Sequence, residues 1–309
     1  MLVVVGHANQ GLRSGGFLFW QQWLDIFIYA FHMPAFFFVS GIFVIASLRK
    51  HGRKYFIASR AKSLLWPNYL FCTVIGIATP RIFAHWMNHS APPLSKYIDN
   101  LYTANLSWFL VTLFVSLVLV ALLWRIPAWP MVLLFAVLGY FWHPVGVAWV
   151  DRSIEQGPFL WLGVWVGARY EWVNRIPRAW AAVGAALAAV PLVLMTPHRF
   201  LMHSFTFLPG GVFGILMLFL IARFLDGSFL GRWMSTAGIA SLAIYLLSPY
   251  GQGLGRALLN AVHVQDRLVQ LGFGSALGMI LPMVVYQHRM KLHLDWVFHW
   301  PFSRASSKA

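Results

Sequence analysis

FHMPAFFFVSG, Phe31 to Gly41, places a histidine, a proline and a serine inside an apolar run that extends from Asp25 to Leu48. About 20 apolar residues in a row cross the hydrocarbon core of a bilayer as a helix. An ionisable group at that depth is expensive and marks a functional site by default. Pro34 is expected to kink this helix and open room beside His32. A second reading stays open, in which His32 is simply bonded to a neighbouring helix. Ser40 and Gly41 are small, and on their own they point to close helix packing.

The rest of the chain belongs to the same class. Of 309 residues, 60% are hydrophobic and only 10% are charged, where a soluble domain carries about a quarter. Mean hydropathy is +0.68. These values predict an all-α, polytopic transmembrane helix bundle, one domain over residues 1–290 with a short cytoplasmic tail at 291–309. The tail's Leu292, Trp296 and Trp300 are expected at the membrane interface. The single cysteine, Cys72, excludes an intrachain disulfide. No cleavable signal peptide is expected, because the N-terminus has no basic n-region and no small-residue cleavage site.

Nine spans read from the apolar runs are Asp25–Leu48, Ser63–Phe83, Leu101–Trp124, Met131–Phe141, Pro158–Ala168, Ala179–Thr196, Phe205–Phe224, Thr236–Tyr250 and Leu268–Gln287. Met1–His7 is an apolar stub ahead of them, about 10 Å long as a helix. It is either a half-length first helix or the remainder of one cut short by an upstream start. Counting it gives about ten helices.

The net charge of +15 raises the question of nucleic acid. Its distribution argues against that partner, because the cations lie between apolar runs and form no stripe interleaved with exposed aromatics. Orientation follows from these cations. Arg49, Lys50, Arg53, Lys54, Arg60 and Lys62 follow the second helix and place that segment in the cytoplasm. Alternation adds Arg125, Arg169, Arg175, Arg178, Arg223, Arg232, Arg289, Lys291, Arg304 and Lys308 to the same side. Both termini are then cytoplasmic, and His7 lies near the outer end of the first helix.

Several residues invite chemistry. His7 follows VVVG, and Gly6 lets a helix or a substrate approach. An imidazole titrating near neutrality can take a hydroxyl proton and return it. An interfacial histidine bonded to headgroup or water is the alternative. Arg60 and Lys62 stand where the third helix leaves the cytoplasm, suited to phosphates or merely to the orientation rule. Trp108 reads as an interface anchor, and Tyr245 as a pocket or interhelical residue. The chain has no GxSxG, Walker or HExxH motif, and its histidines lack zinc-ligand spacing, so no metal is expected. The pairs His85/His89 and His198/His203 read as solvated loop residues.

In order along the chain, VVVGH, FHMPAFFFVSG, RAKSLLWPNYLF, LSWFLVTLF and GIASLAIYLL resemble the acyltransferase 3 family of integral membrane acyltransferases, in its sugar O-acetylase branch. The resemblance implies transfer of an acyl group, usually acetyl, from cytoplasmic acetyl-CoA to a hydroxyl of an extracytoplasmic or lipid-linked glycan. It implies His7 as catalytic base, Ser40 and Gly41 along the acyl path, and Arg60 and Lys62 on the CoA phosphates. It also implies a bacterial cytoplasmic (inner) membrane, surrounded by membrane lipids. Two positions depart from the family pattern. The basic residue usual eleven positions before the histidine falls ahead of Met1. Ser248 and Pro249 follow Leu247, where the penultimate helix usually carries a histidine. Some relatives carry an appended hydrolase-like domain, so a separate extracytoplasmic partner is a further expectation.

The mechanism expected from this reading gives His7 the acceptor's proton, or the acyl group itself, with His32 stabilising the oxyanion. Trp108 and Tyr245 are expected to contact substrate. Two other classes stay open: a carrier for a glycolipid or other amphiphile, and a non-catalytic relative that only binds glycolipid.

Overall fold

The computed structural model describes residues 1–12, 16, 18–71, 77, 93–104, 108–167, 175–196 and 207–301. Cys72, both external histidine pairs, Arg169, Arg304, Lys308 and most of the expected span beyond Phe71 lie outside the described residues. Among those described there is helix and no strand. Five helical stretches are long and apolar enough to cross a bilayer, or six if one sharply bent pair counts as a span. The chain is therefore an all-α, polytopic bundle.

The first three helices are α1 (Leu2–Gly11), α2 (Phe19–Tyr29) and α3 (His32–His51). Gly52, at φ +76°, turns the chain into α4 (Arg53–Arg60), a conformation a glycine adopts without Cβ strain. A π-helical segment, Ala61–Leu65, leads into α5 (Trp66–Tyr69). Next come α6 (Leu94–Thr103), α7 (Trp108–Leu123), α8 (Ala128–Phe141) and α9 (Ala148–Gly167). The chain continues through α10 (Arg178–Met195), α11 (Phe207–Leu225) and α12 (Phe229–Ile239). It closes with α13 (Ser241–Ala261), α14 (Arg267–Gln287) and α15 (Asp295–Phe298).

Several boundaries move from those read in the sequence, each for a local reason. The run Asp25–Leu48 is two helices, parted at Ala30 and Phe31. Pro34 therefore stands in the first turn of α3, where a missing N–H costs little, and it is no mid-span kink. The first helix runs on to Gly11, which puts His7 a full turn inside it. Leu101–Thr103 close α6 and do not open α7; Ala104 ends α6 at φ 54°. Thr236–Tyr250 spans the joint between α12 and α13, bent by 86°. Asp266 and Ser228 cap α14 and α12 by accepting from Val269 N and Gly231 N, the usual service of an N-cap side chain. The segment after α14 folds back on the bundle: Phe298 is buried, stacks on Phe71, and meets Tyr286 edge-on. Trp66 donates its indole N–H to Trp296 O.

α3 is the axis of the structure. Lipid is as apolar as leucine, so helices in a bilayer associate through close packing and polar contacts. Glycines supply that closeness here. A Cβ on Gly41 would lie 2.2 Å from Leu160 O, and one on Gly163 would lie 2.0 Å from Phe38 O. Gly167 faces Ile42 O at 2.5 Å in the same sense. α3 and α9 thus touch backbone to backbone. On another side, Gly214 of α11 receives Phe31, with only 2.1 Å between a notional Cβ and that of Phe31. The position of His32 at the head of α3 is fixed by these contacts.

Candidate functional site

α1 is a ten-residue helix held in place by polar side chains. Gln252 Nε2 of α13 donates to Val4 O at 2.8 Å, and Arg256 Nη1 donates to Gly11 O at 2.6 Å. Asn9 Nδ2 donates to Gln21 O of α2 at 2.8 Å. Asn9, Gln21 and Gln252 are buried, where an unmade hydrogen bond is costly. These contacts set the depth and rotation of α1, and with them the direction of His7.

Two imidazoles flank one tyrosine. The His7 and Tyr29 rings meet edge to face at 6.4 Å, and Tyr29 and His32 do so at 4.6 Å. His32 Nδ1 donates to Ile28 O at 2.8 Å. A carbonyl only accepts, so this bond puts the proton on Nδ1 and leaves Nε2 with its lone pair. A neutral His32 in this tautomer accepts a proton at Nε2 and cannot donate there to an oxyanion. The oxyanion role expected from the sequence calls for a donor at Nε2, which His32 carries only in its protonated form.

Two cavities adjoin at His32. One, of about 460 Å³, is lined by His7, Tyr29, His32, Trp108, Tyr245, Tyr250, Gln252 and Arg256, among others. The other, of about 920 Å³, runs past Phe36, Val39, Ser40 and Phe43 to Arg60 and Ser63. Val3, His32, Phe109 and Tyr245 line both. The wall of the larger cavity is mostly aliphatic and aromatic, with Arg60 as the one lysine or arginine among its described residues. That guanidinium stands 5.2 Å above the Phe56 ring. Partial burial lowers its pKa from the ordinary arginine value by desolvation, and it remains a cation.

The structure thus brings His7, His32, Trp108 and Tyr245 to one cavity, and His32, Ser40, Arg60 and Tyr245 to the other. It does not bring Gly41 or Lys62 to either. Gly41 is spent on the α9 contact, which is the packing its size alone suggested. Lys62 is exposed, about half a helical turn past the point where Arg60 enters the cavity wall. Trp108 lines the smaller cavity and has the Arg152 guanidinium 5.5 Å over its ring. Tyr29, Gln252 and Arg256 were not foreseen. A signal existed for Arg256, a lone cation in an otherwise apolar helix. Tyr29 offered none, because Tyr29 and His32 fall on either side of a helix break invisible in the apolar run.

A bilayer-crossing bundle with two histidines on adjoining cavities defines a membrane protein built for chemistry or passage. The chain belongs to the acyltransferase 3 family, whose model, an acyltransferase domain, matches residues 1–287. It is similar to the nodulation protein NolL of Mesorhizobium japonicum, with 25% identity over 186 residues. That match covers 57% of this chain and 47% of NolL, so it spans about half of that relative's length. No solved structure matches the chain.

Proposed function

We propose that the protein transfers an acyl group, acetyl in the first instance, from cytoplasmic acyl-CoA to a hydroxyl of an extracytoplasmic or lipid-linked glycan. The observation that carries this reading is the meeting of the two cavities at His32, one bounded by a cation and the other by His7. The larger cavity takes the acyl-CoA arm, with the Arg60 guanidinium on a phosphate. The smaller takes the sugar, whose rings suit the faces of Trp108 and Tyr245. The donor side faces the cytoplasm of a bacterial inner membrane, with both termini on that side. A separate extracytoplasmic partner that presents the acceptor is compatible with this arrangement.

The acceptor oxygen attacks the thioester carbonyl carbon. A C–O bond forms, the C–S bond breaks, and CoA leaves as the thiolate. His7 takes the hydroxyl proton during attack and returns it to the CoA sulfur. His32 accepts at Nε2 from a second hydroxyl of the sugar, and in this role orients the acceptor between the two cavities. Products are the O-acyl glycan and CoA thiol.

Purified protein in detergent micelles tests this. Release of CoA from acetyl-CoA should require added glycan. Movement of a glycolipid with no thioester cleavage would favour the carrier and overturn the enzyme. Arg60→Glu is expected to raise the KM for acetyl-CoA about 10- to 150-fold, the range of a lost charge-assisted contact, with kcat changed little. An unaltered KM would remove Arg60 from the donor site. Ser40→Trp should block the larger cavity and lower turnover without unfolding the chain, as a retained melting temperature would establish.

A further inference from the structure

Among the described residues, the lining of the cavity beside His7 holds one permanent cation, Arg256, and no carboxylate. Other arginines of the chain have acids at hand: Arg152 with Glu155, Arg223 with Asp226, Arg289 with Asp295. Arg256 makes no ion pair among the described residues. Its Nη1 donates to Gly11 O at 2.6 Å, which uses one of five N–H groups. Gly11 is what allows this approach, since a Cβ there would come within 2.5 Å of Nη1. The guanidinium is pressed against the α1 backbone and held half-buried at the cavity wall. A partly desolvated cation without a counter-charge carries a cost that an anionic ligand removes. A fixed planar fork also suits a carboxylate or phosphate better than a neutral hydroxyl.

We infer that Arg256 makes this an acceptor site for an anionic glycan, one whose sugar bears a carboxylate or a phosphate within reach of the hydroxyl to be acylated. The inference rests on the reading of the His7 cavity as the acceptor site. It specifies that reading further: the acceptor is an acidic sugar or a sugar phosphate, and Arg256 is the residue that selects it. The oxyanion lies on the guanidinium, and the sugar ring lies toward Trp108 and Tyr250.

The test is a binding titration on the full chain in detergent micelles, with no acyl donor, at constant ionic strength. Methyl glucuronide, glucose 1-phosphate, methyl glucoside and inorganic phosphate are the probes. At least one of the two anionic sugars should bind about tenfold or more tightly than methyl glucoside, the minimum expected of a charge-assisted contact. Preference for the glucuronide marks an acidic sugar as acceptor, and preference for the sugar phosphate marks a lipid-linked one. Arg256→Gln should abolish the preference and Arg256→Lys should retain part of it. Arg267→Gln should leave it unchanged. Arg267 also ties down the link between the first two helices, through Gly16 O and Gln21 Oε1, but does not line the cavity. It therefore reports any loss caused by loosening alone.

Equal binding of all three sugars overturns the inference, as does failure of both anionic sugars to bind. So does inorganic phosphate binding as tightly as the anionic sugars, or an Arg256→Gln protein that is folded and still prefers them. Should Arg256→Gln fail to fold, the wild-type order of affinities decides the matter. Because no thioester is present, a loss of preference leaves acyl transfer to a neutral glycan standing. Conversely, a protein that never cleaves acetyl-CoA can still display the preference.

Discussion

Replacing His7 with alanine is expected to lower glycan-dependent CoA release by about 10²- to 10⁴-fold, the usual contribution of a positioned general base. His7→Gln should fall as far, because an amide can hydrogen-bond the hydroxyl but cannot take its proton. The effect is chemical and leaves the fold alone. The His7 ring is exposed on a cavity wall and makes no hydrogen bond among the described residues. α1 is held instead through its backbone at Val4 and Gly11, by Gln252 and Arg256. The melting temperature of either variant should therefore match the parent, as solvent-facing changes rarely exceed about 0.5 kcal/mol. Full turnover in a folded His7→Ala protein would remove the imidazole from the reaction.

The second large effect is structural. Gly163→Val is expected to drive α3 and α9 apart, because even the first carbon of the new side chain would fall 2.0 Å from Phe38 O. The obstacle is backbone on both sides, so no rotamer change relieves it. Overpacking of a tight contact costs about 1–3 kcal/mol, and the rest of the valine adds to it. Yield of folded protein and melting temperature should both drop, and activity should drop with them, since His32 is carried at the head of α3. Gly41→Val, which meets Leu160 O across the same contact, should behave alike. Gly272→Ala is the control. Nothing lies within 4 Å of that position, and an alanine inside a helix is worth up to about 1 kcal/mol over glycine. A melting temperature for Gly163→Val equal to that of Gly272→Ala would refute this account of the helix contact.

Much of the site could be read before any coordinates. His7 and His32 stood out because an imidazole is costly among apolar residues, and both line one cavity. Arg60 was weighed equally with Lys62, since residue type and charge cannot distinguish two cations two positions apart. The helix does distinguish them: a rotation of roughly 200° over two residues sends one into the cavity wall and the other to solvent. Gly41 and Ser40 were grouped for the same reason. As neighbours on a helix they point about 100° apart, one toward α9 and one toward the cavity. Helix ends were the weakest part of the reading. Apolar runs continue through breaks such as Ala30–Phe31 and the bend before Ser241, because lipid rewards hydrophobicity on either side of a break equally.

Hydropathy along the chain was sufficient for the class and for the all-α state, because a bilayer core admits few ways to satisfy a backbone. Residue type was sufficient to nominate the histidines. Which groups share a cavity depended on helix rotation and on contacts between residues far apart in the chain. Gln252 holds Val4 from 248 positions away, and Arg256 holds Gly11 from 245. Pairings at that separation leave no local pattern in composition or periodicity. They exist only once packed helices bring a buried donor to the one carbonyl that can satisfy it.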